Sequence, residues 1–177
     1  MSIETITLAG GCFWCLEAVY EQVEGVRSVQ SGYSNGHVRE PTYEQVCAGQ
    51  TGHAEVVKVE FDNTALSLRE VLEIFFAIHD PTTLNRQGND VGSQYRSGIY
   101  FHSPEQRAVA QAVIDEVNGA VGGRVVTELT PLDNYWPAEA YHQHYFERNP
   151  GQGYCAFVVA PKVAKFRKTF ANRLRKT

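Results

Sequence analysis

Long hydrophobic runs are missing from this sequence of 177 residues. No apolar run exceeds seven residues, whereas a membrane-spanning helix needs about 20. The first 26 residues contain no Lys or Arg, so the chain does not start with the charged region of a secretory signal. We therefore expect a cytoplasmic protein that does not associate with a membrane.

Cysteine is also scarce. A disulfide scaffold would need more cysteines in a chain of this size, and 177 residues can bury a core without them. In a reducing compartment we expect the few cysteines to be buried, metal-binding or catalytic. They are Cys12, Cys15, Cys47 and Cys155.

Acidic residues are missing from 162–177, which hold seven of the 16 basic residues. The rest of the chain carries nine basic and 20 acidic residues, a net charge of −11. Basic residues are favourable at a helix C-terminus, so we expect a solvated amphipathic helix here. Because the remaining surface should repel phosphate, we expect no nucleic-acid partner.

The hydrophobic pattern alternates between periods of 2 and 3.6 residues, which favours an α+β domain. The predicted order β-α-β-β-α-β-α-β is that of a two-layer ferredoxin-like α/β sandwich. No repeat or linker interrupts the chain, so we expect one domain over 1–177 with a core over about 5–160. An aromatic-rich extension and the terminal basic helix occupy about 135–177.

Local signals place the elements of this sandwich. A first helix begins at about Cys12, and a second strand covers 26–33. Ser67 with Glu70 forms a capping box at the start of a second helix. Alternating apolar residues over 125–129 predict a late strand.

Cys12 follows Gly10-Gly11 at a predicted strand end and begins a helix. Free N–H groups and the helix dipole stabilise a thiolate there, which is the reactive form of cysteine. The paired glycines allow a tight turn that leaves the thiol uncovered. A small buried cysteine is the alternative, but the combination of features favours a nucleophile.

Cys12 and Cys15 form a C-x-x-C, which fits two kinds of chemistry. One is thioredoxin-like redox exchange. The other is zinc binding, but a structural zinc site needs four ligands, and no second C-x-x-C accompanies this one. His142 and His144 are two residues apart and would point to different faces of a helix. We therefore expect no metal.

Glu55 lies on a predicted strand over 53–62, where it shares a face with Val57, Val59 and Phe61. A carboxyl group on an apolar face has a raised pKa and can donate a proton near neutrality. The alternative is a surface acid at a strand end. The alternation of side chains along the strand does not by itself decide between a buried proton donor and a surface acid.

Phe13 and Trp14 follow the candidate nucleophile at a helix start, where burial should be incomplete. Aromatic residues are usually core, but these two could form a pocket for a methyl or thioether group.

Cys155 lies in the Gly- and Pro-containing segment 149–155, where a mobile thiol could travel to Cys12 and form a transient disulfide. The alternative is an incidental loop thiol. Cys47, between Val46 and Ala48, is predicted to be a small buried hydrophobe.

Four motifs occur in order along the chain: Gly10-Gly11-Cys12-Phe13-Trp14, Gly52-His53-Ala54-Glu55, Gly92-Ser93-Gln94-Tyr95-Arg96-Ser97 and Ala140-Tyr141-His142-Gln143-His144-Tyr145. Together they resemble the peptide methionine-S-sulfoxide reductases, the A-type family. The resemblance covers residues 5 to about 160 and leaves out the basic helix.

The resemblance implies a monomeric reductase for the S epimer of methionine sulfoxide, recycled by thioredoxin without a metal or organic cofactor. It implies that Cys12 is the nucleophile, that Glu55 is the acid and that Cys155 is the resolving cysteine. The further residues it implies are Tyr43 and Tyr95 as hydrogen-bond donors to the sulfoxide oxygen, Asp90 as a supporting polar group, and Phe13 and Trp14 as the methyl pocket. Cys15 occupies a position that is Gly in many relatives, so it is either a bystander or part of the disulfide relay.

Three other functions stay open on the residues alone. A thiol-disulfide carrier using Cys12 and Cys15 would not need Glu55. A zinc or nucleic-acid module would bind metal or show salt-dependent affinity. A Cys–His hydrolase is disfavoured because no histidine has a sequence context that places it beside Cys12.

Overall fold

Eight strands are present in the computed structural model, which describes residues 2–175, so Lys176 of the predicted basic helix lies outside the described part. The strands are β1 (Ile3–Ala9), β2 (Val26–Ser34), β3 (Ala54–Asp62), β4 (Arg86–Gln87), β5 (Asp90–Val91), β6 (Gly98–Phe101), β7 (Glu128–Pro131) and β8 (Tyr135–Pro137).

The helices alternate with these strands and then dominate the C-terminal part. The α-helices are α1 (Phe13–Tyr20), α2 (Tyr43–Cys47), α3 (Leu68–Ile78), α4 (Pro104–Ala120), α5 (Tyr145–Arg148) and α6 (Ala160–Thr169). The short 3-10 helices are Ser93–Tyr95, Ala140–His142 and Ala171–Arg173, and a π-helix, Cys155–Val159, leads directly into α6.

The central sheet has the order β7-β6-β1-β3-β2-β8. Its inner four strands, β6-β1-β3-β2, are antiparallel neighbours and have the order of a ferredoxin-like sandwich. The predicted fold class is therefore confirmed. β7 extends one edge in parallel to β6, and β8 extends the other edge antiparallel to β2.

The main core lies between one face of this sheet and the helices α1, α3 and α6. The sheet contributes Val57, Val59 and Phe61 from alternate positions of β3, and all three are fully buried. The alternation of side chains along β3 places Glu55 on this same face of the sheet. The capping box of Ser67 and Glu70 is present at the start of α3, as predicted.

The predicted strand over 125–129 is wrong at its start, because β7 begins only at Glu128. The backbone N–H groups before it are already used elsewhere. Val125 donates to the side chain of Asn118 (3.0 Å), and Val126 donates to the carbonyl of Pro81 (2.8 Å). A strand ladder can therefore form only after these two residues.

The basic helix is confirmed over α6, where Val163 and Phe166 are buried against the core. Beyond Thr169 the prediction of a continuous helix is wrong. A 3-10 turn follows, Leu174 forms a bridge with Val23, and the Arg175 side chain donates to backbone carbonyls near the end of α1.

Candidate active site

Cys12 lies at the N-cap of α1 with an extended backbone, and its side chain is 7% exposed. Gly11 before it has a φ of +90°. A Cβ at this glycine would lie 2.8 Å from the side chain of Gln87. Both the conformation and the close approach therefore require glycine at the turn that presents Cys12.

Glu55 points from β3 toward the same turn and is 1% exposed. Its Oε1 accepts a hydrogen bond from the backbone N–H of Phe13 (3.1 Å). Its Oε2 is buried and has no hydrogen-bond partner among residues 2–175. Burial raises the pKa of this carboxyl to about 8, so it holds a proton at neutral pH. Of the two positions that the sequence left open for Glu55, the structure shows the buried one.

The Cys12 thiol is not made acidic by the helix start alone. The N–H of Trp14 lowers its pKa, but burial, a hydrogen bond to Cys15 and the charge of Glu55 together raise it well above the ordinary value. The helix start acts in the expected direction, but burial outweighs its effect on the pKa of Cys12.

Tyr43 and Tyr95 complete the surroundings of Glu55, each half-buried. Burial, and after it the charge of Glu55, raises the pKa of both phenols, and Cys12 acts on both in the same direction. Both therefore remain protonated donors. Tyr43 is held by its backbone N–H, which donates to Glu139 (2.9 Å).

Cys47 is exposed, so the prediction of a buried hydrophobe is wrong. It ends α2, where its thiol lies near the phenols of Tyr43 and Tyr95. Nothing in its sequence neighbourhood, between Val46 and Ala48, indicates this contact.

The aromatic residues after Cys12 are packed differently from one another. Phe13 is fully buried, so the expected partial burial is wrong for it, whereas Trp14 is half-buried. The Trp14 ring stacks on Tyr145 with centroids 3.8 Å apart, and its Nε1 donates to Nδ1 of His142 (3.1 Å). His142 also contacts the rings of Phe13 and Tyr43. Sequence reasoning considered this histidine only as a metal ligand.

Asp90 lies on the short strand β5 and accepts a hydrogen bond from the Tyr154 hydroxyl (2.5 Å). A cavity of about 670 Å³ lies beside this pair, and Lys162 of α6 contributes to its lining. The cavity adjoins the site without including Cys12 or Glu55. Sequence reasoning missed both Tyr154 and Lys162, which reach the site only through tertiary packing.

The remaining two cysteines lie behind Cys12. Cys15 is 2% exposed, and it lies near Cys12 and near Tyr154, whose hydroxyl donates to Asp90. Cys155 is fully buried at the start of the π-helix, and Cys15 acts electrostatically on it. The prediction that Cys155 lies on a mobile strip is wrong, because the helix begins at this residue.

One group of three possible metal ligands occurs within residues 2–175, formed by Glu17, Glu21 and His144. It contains neither cysteine of the C-x-x-C. His142 is buried and His144 is exposed, so the two histidines point apart, as their spacing predicted. No helix within the described residues is long and apolar enough to cross a membrane.

Comparison with known proteins gives one consistent result. Residues 4–174 match the family model described as peptide methionine sulfoxide reductase. The enzyme MsrA from Saccharolobus solfataricus is 56% identical over 173 residues, which covers 98% of each chain. Reduced Mxr1 from Saccharomyces cerevisiae has a similar structure, with a TM-score of 0.81, 36% identity, and coverage of 86% of this chain and 89% of Mxr1. Mxr1 in complex with Trx2 matches with a TM-score of 0.57 and 28% identity, over 81% of this chain and 84% of Mxr1.

Proposed function

The chain belongs to the peptide methionine sulfoxide reductase family, and from this membership we propose that it reduces the S epimer of methionine sulfoxide, free or in proteins. The reductant is a thioredoxin, since the similar yeast protein forms a complex with Trx2. Thiols supply both electrons for this reduction, so the reaction needs no metal and no organic cofactor. All the residues assigned below come from one chain, and we propose a monomer with a single catalytic domain. A thioredoxin-dependent enzyme belongs in a reducing compartment, here the cytoplasm.

One observation carries the assignment of the reacting groups. The buried carboxyl of Glu55 is bonded to the first N–H of the helix that Cys12 caps, and its second oxygen has no partner within residues 2–175. Because its pKa is about 8, the Glu55 carboxyl is protonated at neutral pH, and none of residues 2–175 accepts a hydrogen bond from its second oxygen. A sulfoxide oxygen is the acceptor that this site lacks.

In the first step, the Cys12 sulfur attacks the sulfoxide sulfur while Glu55 donates its proton to the oxygen, and the Cys12 thiol proton replaces it on the Glu55 carboxylate. Tyr43 and Tyr95 donate hydrogen bonds to the same oxygen, where negative charge develops. The oxygen passes to Cys12, which becomes a sulfenic acid, and the sulfoxide is reduced to a thioether. Methionine then leaves.

The substrate is held by the groups around Cys12. Trp14, stacked on Tyr145 and bonded to His142, forms a rigid apolar wall for the methyl group, with Phe13 behind it. Asp90, bonded to Tyr154, gives the site a polar edge.

In the second step, the two thiols behind Cys12 act in turn. Cys15 attacks the Cys12 sulfur of the sulfenic acid, and water leaves as a disulfide forms. Cys155 then attacks Cys15, releases the Cys12 thiol and forms the disulfide that thioredoxin reduces. The position of Cys15, close enough to act on the pKa of both Cys12 and Cys155, supports this order.

The activity is tested by turnover of the two separated methionine sulfoxide epimers with dithiothreitol as reductant. The S epimer should be consumed, and the R epimer serves as the matched control. Cys12→Ser should abolish turnover of the S epimer with every reductant. Equal turnover of both epimers, or an active Cys12→Ser, would contradict the proposal.

Cys155→Ser tests the disulfide relay separately from the chemistry of Cys12. In a single turnover it should still release about one methionine per enzyme, because attack by Cys12 needs no second thiol. Its thioredoxin-supported turnover should fall by about tenfold or more, since the final disulfide cannot form. Peptide mapping should find a Cys12–Cys15 bridge in this variant and a Cys15–Cys155 bridge in the wild type. Undiminished turnover with thioredoxin would make Cys155 a bystander.

A further inference from the structure

Glu139 joins two tyrosines that both pack against the ring of Phe13, the residue after Cys12. It is half-buried and comes directly before the 3-10 helix that opens the fourth motif. Its Oε1 accepts a hydrogen bond from the hydroxyl of Tyr33 (2.8 Å), and its Oε2 accepts one from the backbone N–H of Tyr43 (2.9 Å). Both carboxyl oxygens are therefore in use, one toward β2 and one toward α2. The reaction proposed above assigns no role to Glu139.

We infer that Glu139 is a positioning residue for this reaction. By holding the start of α2, it places the phenol of Tyr43 where it can donate a hydrogen bond to the sulfoxide oxygen. Glu139 acts through Tyr43 and has no chemical step of its own. This inference rests on the proposed role of Tyr43.

The helix α2 is too short to orient Tyr43 by itself. It has five residues, and a single helical turn is not stable alone in water. Tyr43 is its first residue, so the N–H of Tyr43 has no partner inside the helix. The Thr42 cap accepts the N–H of Gln45 (3.2 Å), and this bond is closed within α2. Glu139 supplies the bond from the first N–H of α2 to another part of the fold.

The backbone around Glu139 is fixed on both sides. The N–H of Ala138 donates to the carbonyl of Ser31 on β2 (2.9 Å), and the carbonyl of Glu139 accepts the N–H of His142 (2.9 Å). The carboxylate is thus carried by the central sheet and by the C-terminal extension together. An anchor held in this way passes its own fixed position on to Tyr43.

The same contacts relate Tyr43 to the proposed acid. The rings of Tyr43 and Tyr33 lie 6.4 Å and 5.7 Å from the ring of Phe13. Tyr33 pairs with Glu55 across β2 and β3, and the N–H of Phe13 donates to Glu55 (3.1 Å). Through Glu139, Tyr43 is therefore bonded to the elements that also hold Glu55. Two donors that must meet one oxygen need such a fixed relation, because a misplacement of about 1 Å can cost about 10²-fold in rate.

The first measurement is hydrogen exchange of the Tyr43 backbone N–H in the reduced full chain without substrate. In Glu139→Met the acceptor is lost, so this N–H should exchange about tenfold faster than in the wild type, the usual effect of one hydrogen bond. In Glu139→Gln the amide oxygen still accepts from Tyr43, and the amide NH₂ can donate to the Tyr33 hydroxyl, so the wild-type exchange rate should be kept. The N–H of Phe13, which donates to Glu55, is the internal reference and should be unaffected in both variants.

The second measurement is the rate of methionine release in a single turnover. Tyr43→Phe should slow it by about 10²-fold, the usual effect of removing one such donor. Glu139→Met should slow it by about tenfold or more, because Tyr43 is then misplaced but not removed. Glu139→Gln should stay near the wild-type rate. Added to Tyr43→Phe, Glu139→Met should cause no further loss, because two residues that act through one contact are not additive.

Glu44→Met is the matched control, because Glu44 is an exposed carboxylate in the first turn of the same helix. It should change neither the exchange of the Tyr43 N–H nor the rate, which separates the bond from a general effect of negative charge. Glu139→Ala repeats the test if Glu139→Met does not fold.

Two results would overturn the inference while leaving the proposed reaction intact. One is a wild-type rate in Glu139→Met, and the other is an equal loss from Glu139→Met with and without the Tyr43 hydroxyl. A wild-type rate in Tyr43→Phe would contradict the proposed role of Tyr43, and the inference with it. Because the exchange measurement uses no substrate, its result is independent of whether Cys12 reduces sulfoxides.

Discussion

Glu55 and Glu17 are buried to the same degree on two different elements, β3 and α1. Each is 1% exposed, and each has one carboxyl oxygen without a hydrogen-bond partner among residues 2–175. Burial is the largest cause that raises the pKa of both, to about 8 for Glu55 and about 7 for Glu17. By these measures alone, either could be the acid of the active site.

The two carboxyls differ in the groups that surround them. Glu55 is bonded to the N–H of Phe13, next to Cys12. Glu17 faces the backbone of His144 and Tyr145 in the C-terminal extension, away from Cys12. A raised pKa reports burial, and the role of a carboxyl follows from what it faces.

The largest expected difference between the two is in catalysis. Glu55→Gln should lower the rate of sulfenic acid formation by about 10²-fold, the usual contribution of a general acid. The amide keeps the shape of the side chain and the hydrogen bond to Phe13 but has no acidic proton. Single-turnover release of methionine measures this rate directly.

Glu60→Gln is the matched control for this substitution, because Glu60 lies on the same strand at the opposite parity from Glu55. Its rate should equal that of the wild type. A wild-type rate in Glu55→Gln would remove Glu55 from its role and would favour a thiol-disulfide carrier that uses Cys12 and Cys15.

The second difference is in the pH dependence of stability. Both carboxyls have folded-state pKa values above the ordinary 4.5, so each favours the folded state at low pH. For Glu55 this contribution is fully present below a pH of about 4.5 and is lost as the pH rises to about 8. The loss is on the order of 5 kcal/mol. Glu17 loses its smaller contribution by a pH of about 7.

Urea unfolding of the wild type and Glu55→Gln across this pH range tests the contribution of Glu55. The free energy of unfolding of the variant, measured relative to the wild type, should increase steadily between a pH of about 4.5 and a pH of about 8, and then level off. A difference that does not change with pH would show that Glu55 is ionised in the folded protein.

The sequence predicted Glu55 and overlooked Glu17 for a physical reason. A strand has a period of two, so the apolar side chains of β3 indicate the buried face on which Glu55 lies. Glu17 is on a helix that is buried nearly all round, where position gives no information about direction. Of the inner strands, β3 was predictable in the same way as Glu55, because its apolar and polar residues alternate clearly.

Features set by tertiary packing were not predictable. Cys155 follows glycines in the sequence, yet the π-helix that leads into α6 begins at it. Cys47 has apolar neighbours, yet α2 presents it to solvent beside two phenols. Lys162 belongs to a basic helix whose contact with α1 depends on the whole C-terminal part. The motifs led to the reacting groups that we propose, but the local sequence pattern did not predict the surroundings of these three residues.

The smallest expected effect is that of Glu17→Gln on activity. Glutamine keeps the shape of the side chain beside the backbone of His144 and Tyr145, so the Tyr145 ring should keep its place on Trp14. Glu17 is not bonded to Cys12 or Glu55, and the single-turnover rate should stay within about threefold of the wild type, a change of less than about 1 kcal/mol. Glu17→Ala removes this side chain and should weaken substrate binding through Trp14, which raises KM more than it changes kcat. A loss in Glu17→Gln as large as that in Glu55→Gln would mean that Glu17 supplies a proton to the reaction, and the two carboxyls would then share one role.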